Sequence, residues 1–187
     1  FASADETYRV AMITDSGDIT DQSFNQTTYE ACKAFCEANG VDFNYFKPTG
    51  DSDAERIAQV EAAIDEGYNV IVMPGYAFGG AIVEAAPEFP DVKFIALDVS
   101  ADDLTSNGVD LSNASNLFSA VYQEELSGYM AGYAAVKMGY KKLGFLGGME
   151  VPAVQRFGYG FVQGASAAAA EMGVKVEMNY SWLYGAS

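Results

Sequence analysis

The sequence predicts an α/β fold, with a doubly wound parallel sheet as a first lobe and an incomplete second α/β lobe after it. Short apolar runs rich in β-branched residues alternate with longer segments whose apolar positions recur at helical spacing. That is the pattern of parallel strands covered by helices on both faces. Half of the 187 residues are hydrophobic, so one or two sizeable cores can be buried. The alternation halts at a polar stretch and restarts, dividing the chain into residues 1–112 and 113–187.

Tyr8 to Thr14 reads as a buried first strand, and the polar, glycine-containing stretch Asp15 to Ser23 as the loop beyond its carboxyl end. From Phe24 to Asn39, the positions Thr28, Ala31, Cys32, Phe35 and Cys36 fall at helical spacing, and Gly40 supplies a left-handed stop. Val41 to Phe46 is the second strand. Ser52 and Glu55 then form a capping box for a helix that turns Ile57, Val60 and Ile64 inward and ends at Gly67. Val70 to Met73 is the third strand, Phe78 to Ala86 a short helix closed by Pro87, and Val92 to Leu97 the fourth strand, ending in Asp98. Val109 to Leu111 is a candidate fifth strand.

After the polar stretch Ser112 to Asn116, the pattern predicts a helix to about Met138, a strand from Leu143 to Leu146, a helix from Ala153 to Met172 and a strand from Val174 to Tyr180. Two strands and two helices are too few to close a core, so the second lobe is expected to be truncated. Its unfinished apolar surface makes association through it an expectation. Gly128-x-x-x-Gly132 signals close helix packing. Gly144-Phe145-Leu146-Gly147-Gly148 lacks both the GxGxxG spacing and a Walker lysine, and is also read as a packing motif.

Composition excludes several function classes. Twenty-six acidic against ten basic residues give a formal charge of -16, which repels phosphate backbones and argues against nucleic acid as a partner. There is no histidine, which removes the commonest general base, the Ser-His-Asp and Cys-His arrangements and nearly every ordinary zinc site. Asp15, Asp18 and Asp21 do not have calcium-loop spacing. No metal, cofactor or catalytic residue is expected. Cys32 and Cys36 lie one helical turn apart and read as buried free thiols, which leaves the redox compartment open. No run of about 18 apolar residues suggests a membrane span. The polar lead-in Phe1 to Thr7, without an initiator Met, is what a removed export signal would leave.

In an open parallel sheet, ligands bind beyond the carboxyl ends of the strands where the chain order reverses. Three loops qualify: Asp15 to Asn25, Pro74 to Gly80, and Asp98 to Ser100. Together they offer Asp15, Ser16, Phe24, Asn25, Tyr76 and Asp98 as candidate ligand-binding residues. Carboxylates at strand ends suit the hydroxyls of a sugar or ribose, Asn25 can donate and accept, and Phe24 provides a ring for stacking. Gly17 belongs to the first of these loops, while Asp18 and Asp21 read as loop and cap residues near a helix start.

Thr14-Asp15-Ser16-Gly17, Asp21-Gln22-Ser23-Phe24-Asn25 and Phe94-Ile95-Ala96-Leu97-Asp98 resemble motifs of the basic membrane protein family of ABC-transporter substrate-binding lipoproteins. The likeness continues through Glu124-Glu125-Leu126-Ser127-Gly128-Tyr129-Met130-Ala131-Gly132, Leu143 to Gly148 and Arg156 to Phe161, in the family's order and over essentially the whole chain. The resemblance implies a periplasmic-binding-protein-like (type I) fold. It also implies a receptor outside the cytoplasmic membrane, anchored in full-length form as a lipoprotein, that hands its ligand to a membrane permease.

The best understood members are purine nucleoside receptors, so the resemblance implies that Asp15, Asn25 and Asp98 bind base or ribose groups while Phe24 stacks on the base. Ligand would lie between two lobes closing on a hinge near Leu111 to Asn116, with a second aromatic ring from the other lobe. Trp182 and Tyr184 fall near that position but are better read as strand side chains in a lobe core. Other receptors of the family are said to take different ligands, which keeps a sugar- or flavin-binding receptor as one alternative. A carboxylate-dependent glycoside or nucleoside hydrolase using Asp15 and Asp98 is another. A transcriptional sensor ranks last, since no basic helix-turn-helix precedes Tyr8. The expectation is a receptor, not an enzyme.

Overall fold

The computed structural model describes residues 7–105 and 114–184. The chain forms two compact units, Phe1–Val121 and Tyr122–Ser187.

The first unit is built on five strands, β1 (Arg9–Ile13), β2 (Asp42–Phe46), β3 (Val70–Pro74), β4 (Lys93–Leu97) and β5 (Leu117–Ala120). All pairings are parallel and the order is β2-β1-β3-β4-β5. The chain first steps outward from β1 to β2, then crosses back over β1 to β3 and continues the other way. Because crossovers between parallel strands are right-handed, that reversal puts the connecting helices on opposite faces. The helix after β1, α1 (Phe24–Asn39), covers one face, where Cys36 packs with Val10 and Val72. On the other face lie α2 (Asp53–Asp65), α3 (Gly79–Glu88) and α4 (Ala101–Thr105). There Val60, Ala63, Ile82 and Leu104 meet Ala11, Ile13, Ile71, Met73, Phe94 and Ala96.

The two faces are unequally covered, and this corrects the reading of α1. Thr28 and Cys36 are buried and Cys32 half-buried, but Ala31 is exposed and Phe35 is 63% exposed. They border a groove of about 530 Å³ floored by Val10, Val70, Val72 and Ile95. Helical spacing shows which residues share a stripe, whereas burial depends on what packs beside the stripe. Burial pushes the free Cys32 thiol up to about 11.

Other boundaries moved for local reasons. Ser52 caps α2 as expected, accepting from the Glu55 N–H at 3.3 Å while its hydroxyl donates to the Glu55 carboxylate at 2.8 Å. Pro87 lies inside α3, which runs on to Glu88 because the last turn keeps a bond from the Phe89 N–H to the Ala85 carbonyl. A 3-10 turn at Tyr76–Phe78 precedes α3. Residues 117–120, expected in a helix, form β5 instead, with Phe94–Leu97 as partners. Asn116 leads into it as a buried clamp: its amide donates to the carbonyls of Ala86, Phe89 and Val92 at 2.9, 3.2 and 3.0 Å. A polar residue assigned to a hinge is thus tied down. The candidate strand Val109–Leu111, the rest of the hinge through Asn113, and the expected boundary after residue 112 lie outside the described residues.

The second unit holds α5 (Glu124–Lys137), β6 (Lys142–Met149), α6 (Pro152–Met172) and β7 (Glu177–Tyr184), with β6 and β7 parallel. These are the two helices and two strands expected, with β7 starting three residues later and running to Tyr184. Both helices carry a small-residue seam. A Cβ on Gly128 or Gly132 would run into the carbonyls of Phe157 or Phe161, and one on Gly160 or Gly164 into those of Glu125 or Tyr129. The seam is therefore backbone against backbone, and Gly128-x-x-x-Gly132 is a packing motif. Gly147 is likewise demanded by the Trp182 ring. Trp182 is half-buried against Phe145 and Tyr180, as a core strand residue should be, whereas Tyr184 is 67% exposed.

Candidate functional site

The order β2-β1-β3-β4-β5 places the reversal of chain direction between β1 and β3. The carboxyl ends of β1, β3 and β4 lie side by side there, so the three loops named from the sequence share one edge of the first unit. Neighbouring strands are about 4.8 Å apart, which sets the β1 and β4 ends about 10 Å from each other, a span suited to a small organic ligand.

The first loop is the most organised. Thr14, fully buried, extends the β1–β2 pairing through its N–H to the Phe46 carbonyl at 3.0 Å. Asp15 then turns the chain: its Oδ1 accepts from the Gly17 N–H at 2.6 Å, an Asx turn that leaves Ser16 exposed at the tip. Gly17 is required, because a Cβ there would press on the Asn25 amide at 2.6 Å and on Asp15 Oδ1 at 2.9 Å.

Asn25 is only 2% exposed and is engaged at both ends of its amide. Its Nδ2 donates to Asp15 Oδ1 at 2.7 Å and to Asp21 Oδ2 at 2.9 Å, while its Oδ1 accepts from the Asp15 N–H at 3.1 Å. Asn25 is therefore the brace that orients Asp15. Asp15 Oδ2 has no hydrogen-bond partner among the described residues. Phe24, the first residue of α1, is half-buried beside this network.

Asp21 and Asp18 hold the loop, as their reading from the sequence anticipated. Asp21 accepts from the N–H groups of Ser23, Asn25 and Gln26 at 2.8, 3.3 and 3.1 Å and so caps α1. Desolvation pushes its carboxyl up, but the bonds from Asn25, Gln26 and Ser23 together outweigh this and hold it below the usual carboxylate range. Asp18 pairs with Lys47 at 2.7 Å, and that ammonium, with Thr20, holds its carboxyl low. Gln22 adopts a left-handed φ of 54°, a conformation disfavoured for its type and found most often where a loop's shape matters.

The loops after β3 and β4 are joined by the bond from the Gly75 N–H to the Leu97 carbonyl at 2.8 Å. Gly75 has φ 121° and ψ 146°, a region open essentially to glycine alone, and it throws Tyr76 outward to 51% exposure. Asp98 follows β4 with φ 60°, which Asp tolerates better than most residues, and its N–H bonds the Ala120 carbonyl at 2.7 Å. The structure thus gathers Asp15, Ser16, Phe24, Asn25, Tyr76 and Asp98 along one sheet edge. Sequence reading missed Arg56, buried beneath the β3 loop, because a charged residue at helical spacing looks like a solvated face. Among the described residues no group of three His, Cys, Asp or Glu side chains is placed to hold a metal ion.

A doubly wound sheet with polar, braced loops at its switch point is the architecture of the α/β solute-binding proteins. An Aeropyrum pernix ABC transporter solute-binding protein shares the fold at a TM-score of 0.71 and 24% identity, over 94% of this chain and 47% of its own. The family described as Bmp, ABC transporter substrate-binding protein PnrA-like, matches residues 8–183, and the chain belongs to it. The ABC transporter nucleoside-binding protein BmpA of Lactococcus lactis subsp. cremoris is 29% identical over 178 residues, 92% of this chain and 47% of that protein. An uncharacterized lipoprotein of Pyrococcus abyssi is 27% identical over 95% of this chain and 43% of its own length. The chain thus spans about half the length of these relatives.

Proposed function

We propose that this chain is the ligand-contacting part of an extracytoplasmic ABC-transporter receptor that takes up a nucleoside, with purines preferred, for delivery to a membrane permease. The observation that carries the reading is the braced carboxylate: Asp15 is held through Oδ1 by Asn25 and Gly17, with Oδ2 without a hydrogen-bond partner among the described residues, and Phe24 precedes the bracing Asn25 at the switch point. A fixed acceptor beside a ring suits a ligand with hydroxyl or N–H donors attached to a flat heterocycle. Asp98 offers a second acceptor two strands away, Tyr76 a second ring, and Ser16 a hydroxyl, while Asn25 acts through its hold on Asp15. The nucleoside-binding relative supports the ligand class, and the lipoprotein relatives support anchoring outside the membrane.

Isothermal titration with inosine, guanosine and adenosine, with ribose and riboflavin in parallel, tests this. Nucleoside binding is expected to be weak or undetectable in this chain, since these loops contact the ligand from one sheet edge only, and tight in a family member of full length. Asp15→Asn and Phe24→Ala should each weaken it about tenfold or more. Binding of ribose or riboflavin but no nucleoside by the full-length protein refutes the nucleoside assignment. Appearance of free base from bound nucleoside refutes the receptor reading in favour of a hydrolase.

A further inference from the structure

Arg56, in the first turns of α2, is 4% exposed. Its guanidinium bonds Asp51 through one terminal nitrogen and Asp53 Oδ1 through the other at 3.3 Å. Its central carbon lies 5.6 Å from the centroid of the fully buried Phe78 ring, within cation–π range. Nε is buried without a hydrogen-bond partner among the described residues. The other oxygen of Asp53, Oδ2, occupies the space that a Cβ on Gly80 would need. One guanidinium therefore links the loop before α2, the first turn of α2, the 3-10 turn that carries Tyr76 and, through Asp53, the first turn of α3.

Burying a guanidinium is a poor source of stability, because desolvation offsets its attraction to the carboxylates, and here the Asp51 and Asp53 side chains, 68% and 53% exposed, stay solvated when a methionine takes its place. What the planar fork adds is geometry. Upstream, the β3 loop is tied only through backbone, by the Gly75 N–H to the Leu97 carbonyl and the Phe78 N–H to the Gly75 carbonyl. Gly75 itself, with φ 121° and nothing within 4 Å of where a Cβ would sit, has no side chain to fix the turn that follows. The turn it starts is held downstream, at Phe78 by Arg56 and at Gly80 by Asp53.

We infer that Arg56 is the positioning residue for Tyr76, setting the orientation of the β3 loop at the ligand-binding edge. The inference rests on the proposed function for its purpose but not for its geometry. Amide hydrogen exchange on the 187-residue chain separates the two. In Arg56→Met, Arg56→Lys and Gly80→Ala, exchange of amides 75–80 should rise about tenfold while β3 itself stays protected, with thermal unfolding of Arg56→Met close to wild type. Arg56→Lys keeps the charge but not the fork, so it should resemble Arg56→Met. Where wild type binds inosine, Arg56→Met should weaken binding about tenfold alone and not at all in a Tyr76→Ala background, as a residue acting through Tyr76 requires. Unchanged exchange at 75–80, or a uniform rise across residues 7–105, overturns the inference. Failure of the 187-residue chain to bind inosine leaves exchange alone to decide the role of Arg56, while the nucleoside reading is decided by the full-length titration above.

Discussion

Replacing Asn25 by Asp tests the brace with almost no change of shape. The side chain is 2% exposed, so an isosteric variant leaves the packing intact. The two donations from Nδ2, to Asp15 at 2.7 Å and Asp21 at 2.9 Å, are lost and become contacts between carboxylates. Each lost bond to a charged partner is worth about 1.5–3 kcal/mol, so Asn25→Asp should lose about 3–6 kcal/mol of stability at pH 7. The new carboxyl, flanked by two others, has a folded-state pKa raised above its unfolded value of about 3.9. Its penalty is absent below the unfolded value, grows as pH rises through the window between the two values, and is complete above the folded one. Urea unfolding read by circular dichroism at pH 7 and pH 5 measures this against wild type. Fluorescence of Trp182, the single tryptophan and a residue of the other unit, serves as internal control. A deficit below about 1 kcal/mol at pH 7, or one that does not shrink in acid, refutes the assignment of Asn25 as the brace of Asp15.

Further expectations follow from other parts of the structure. Gly128→Ala should destabilise the second unit by about 2 kcal/mol or more, because the added methyl meets the backbone of Phe157. Gly144→Ala, whose nearest neighbour is the Asn179 carbonyl at 3.9 Å, is the control and should be close to neutral, both read from Trp182 fluorescence during heating. Asn116→Ala abandons three carbonyls at 2.9–3.2 Å and should cost about 2–3 kcal/mol in urea unfolding, with faster amide exchange at the β4 and β5 ends. Asp21 and Asp18 are both held below the usual carboxylate range. The stability they contribute is full above the unfolded carboxylate value of about 3.9 and is lost as pH falls through their lower folded values, so acid titration should loosen residues 15–26 early. Wild-type protection of that loop persisting in strong acid would contradict this.

Most of the architecture was legible because parallel strands buried on both faces must be apolar runs, and helices that cover them must carry one apolar stripe. Strand identity, the Asp15–Asn25 loop, the Ser52 cap and the glycine seam of α5 all follow from such local rules. Residues 117–120 escaped because a four-residue edge strand with Phe118 exposed has no periodicity to read, and only β4 beside it makes it a strand. The status of Phe35 escaped because exposure belongs to the surroundings of a helix and not to its spacing.

At the candidate site the same division holds. Residue types at strand ends were enough to name Asp15, Phe24 and Asp98, since acceptors and rings announce their chemistry wherever they stand. Local sequence also made Asp21 a cap. Tertiary structure alone decided that Asn25 spends its amide on Asp15, that the Asn116 amide is spent on the Ala86, Phe89 and Val92 carbonyls, and that Arg56 lies buried under the β3 loop. Each of these depends on partners between 10 and 30 residues away or on a neighbouring element, and a hydrogen bond has no address until the chain has folded both ends of it into place.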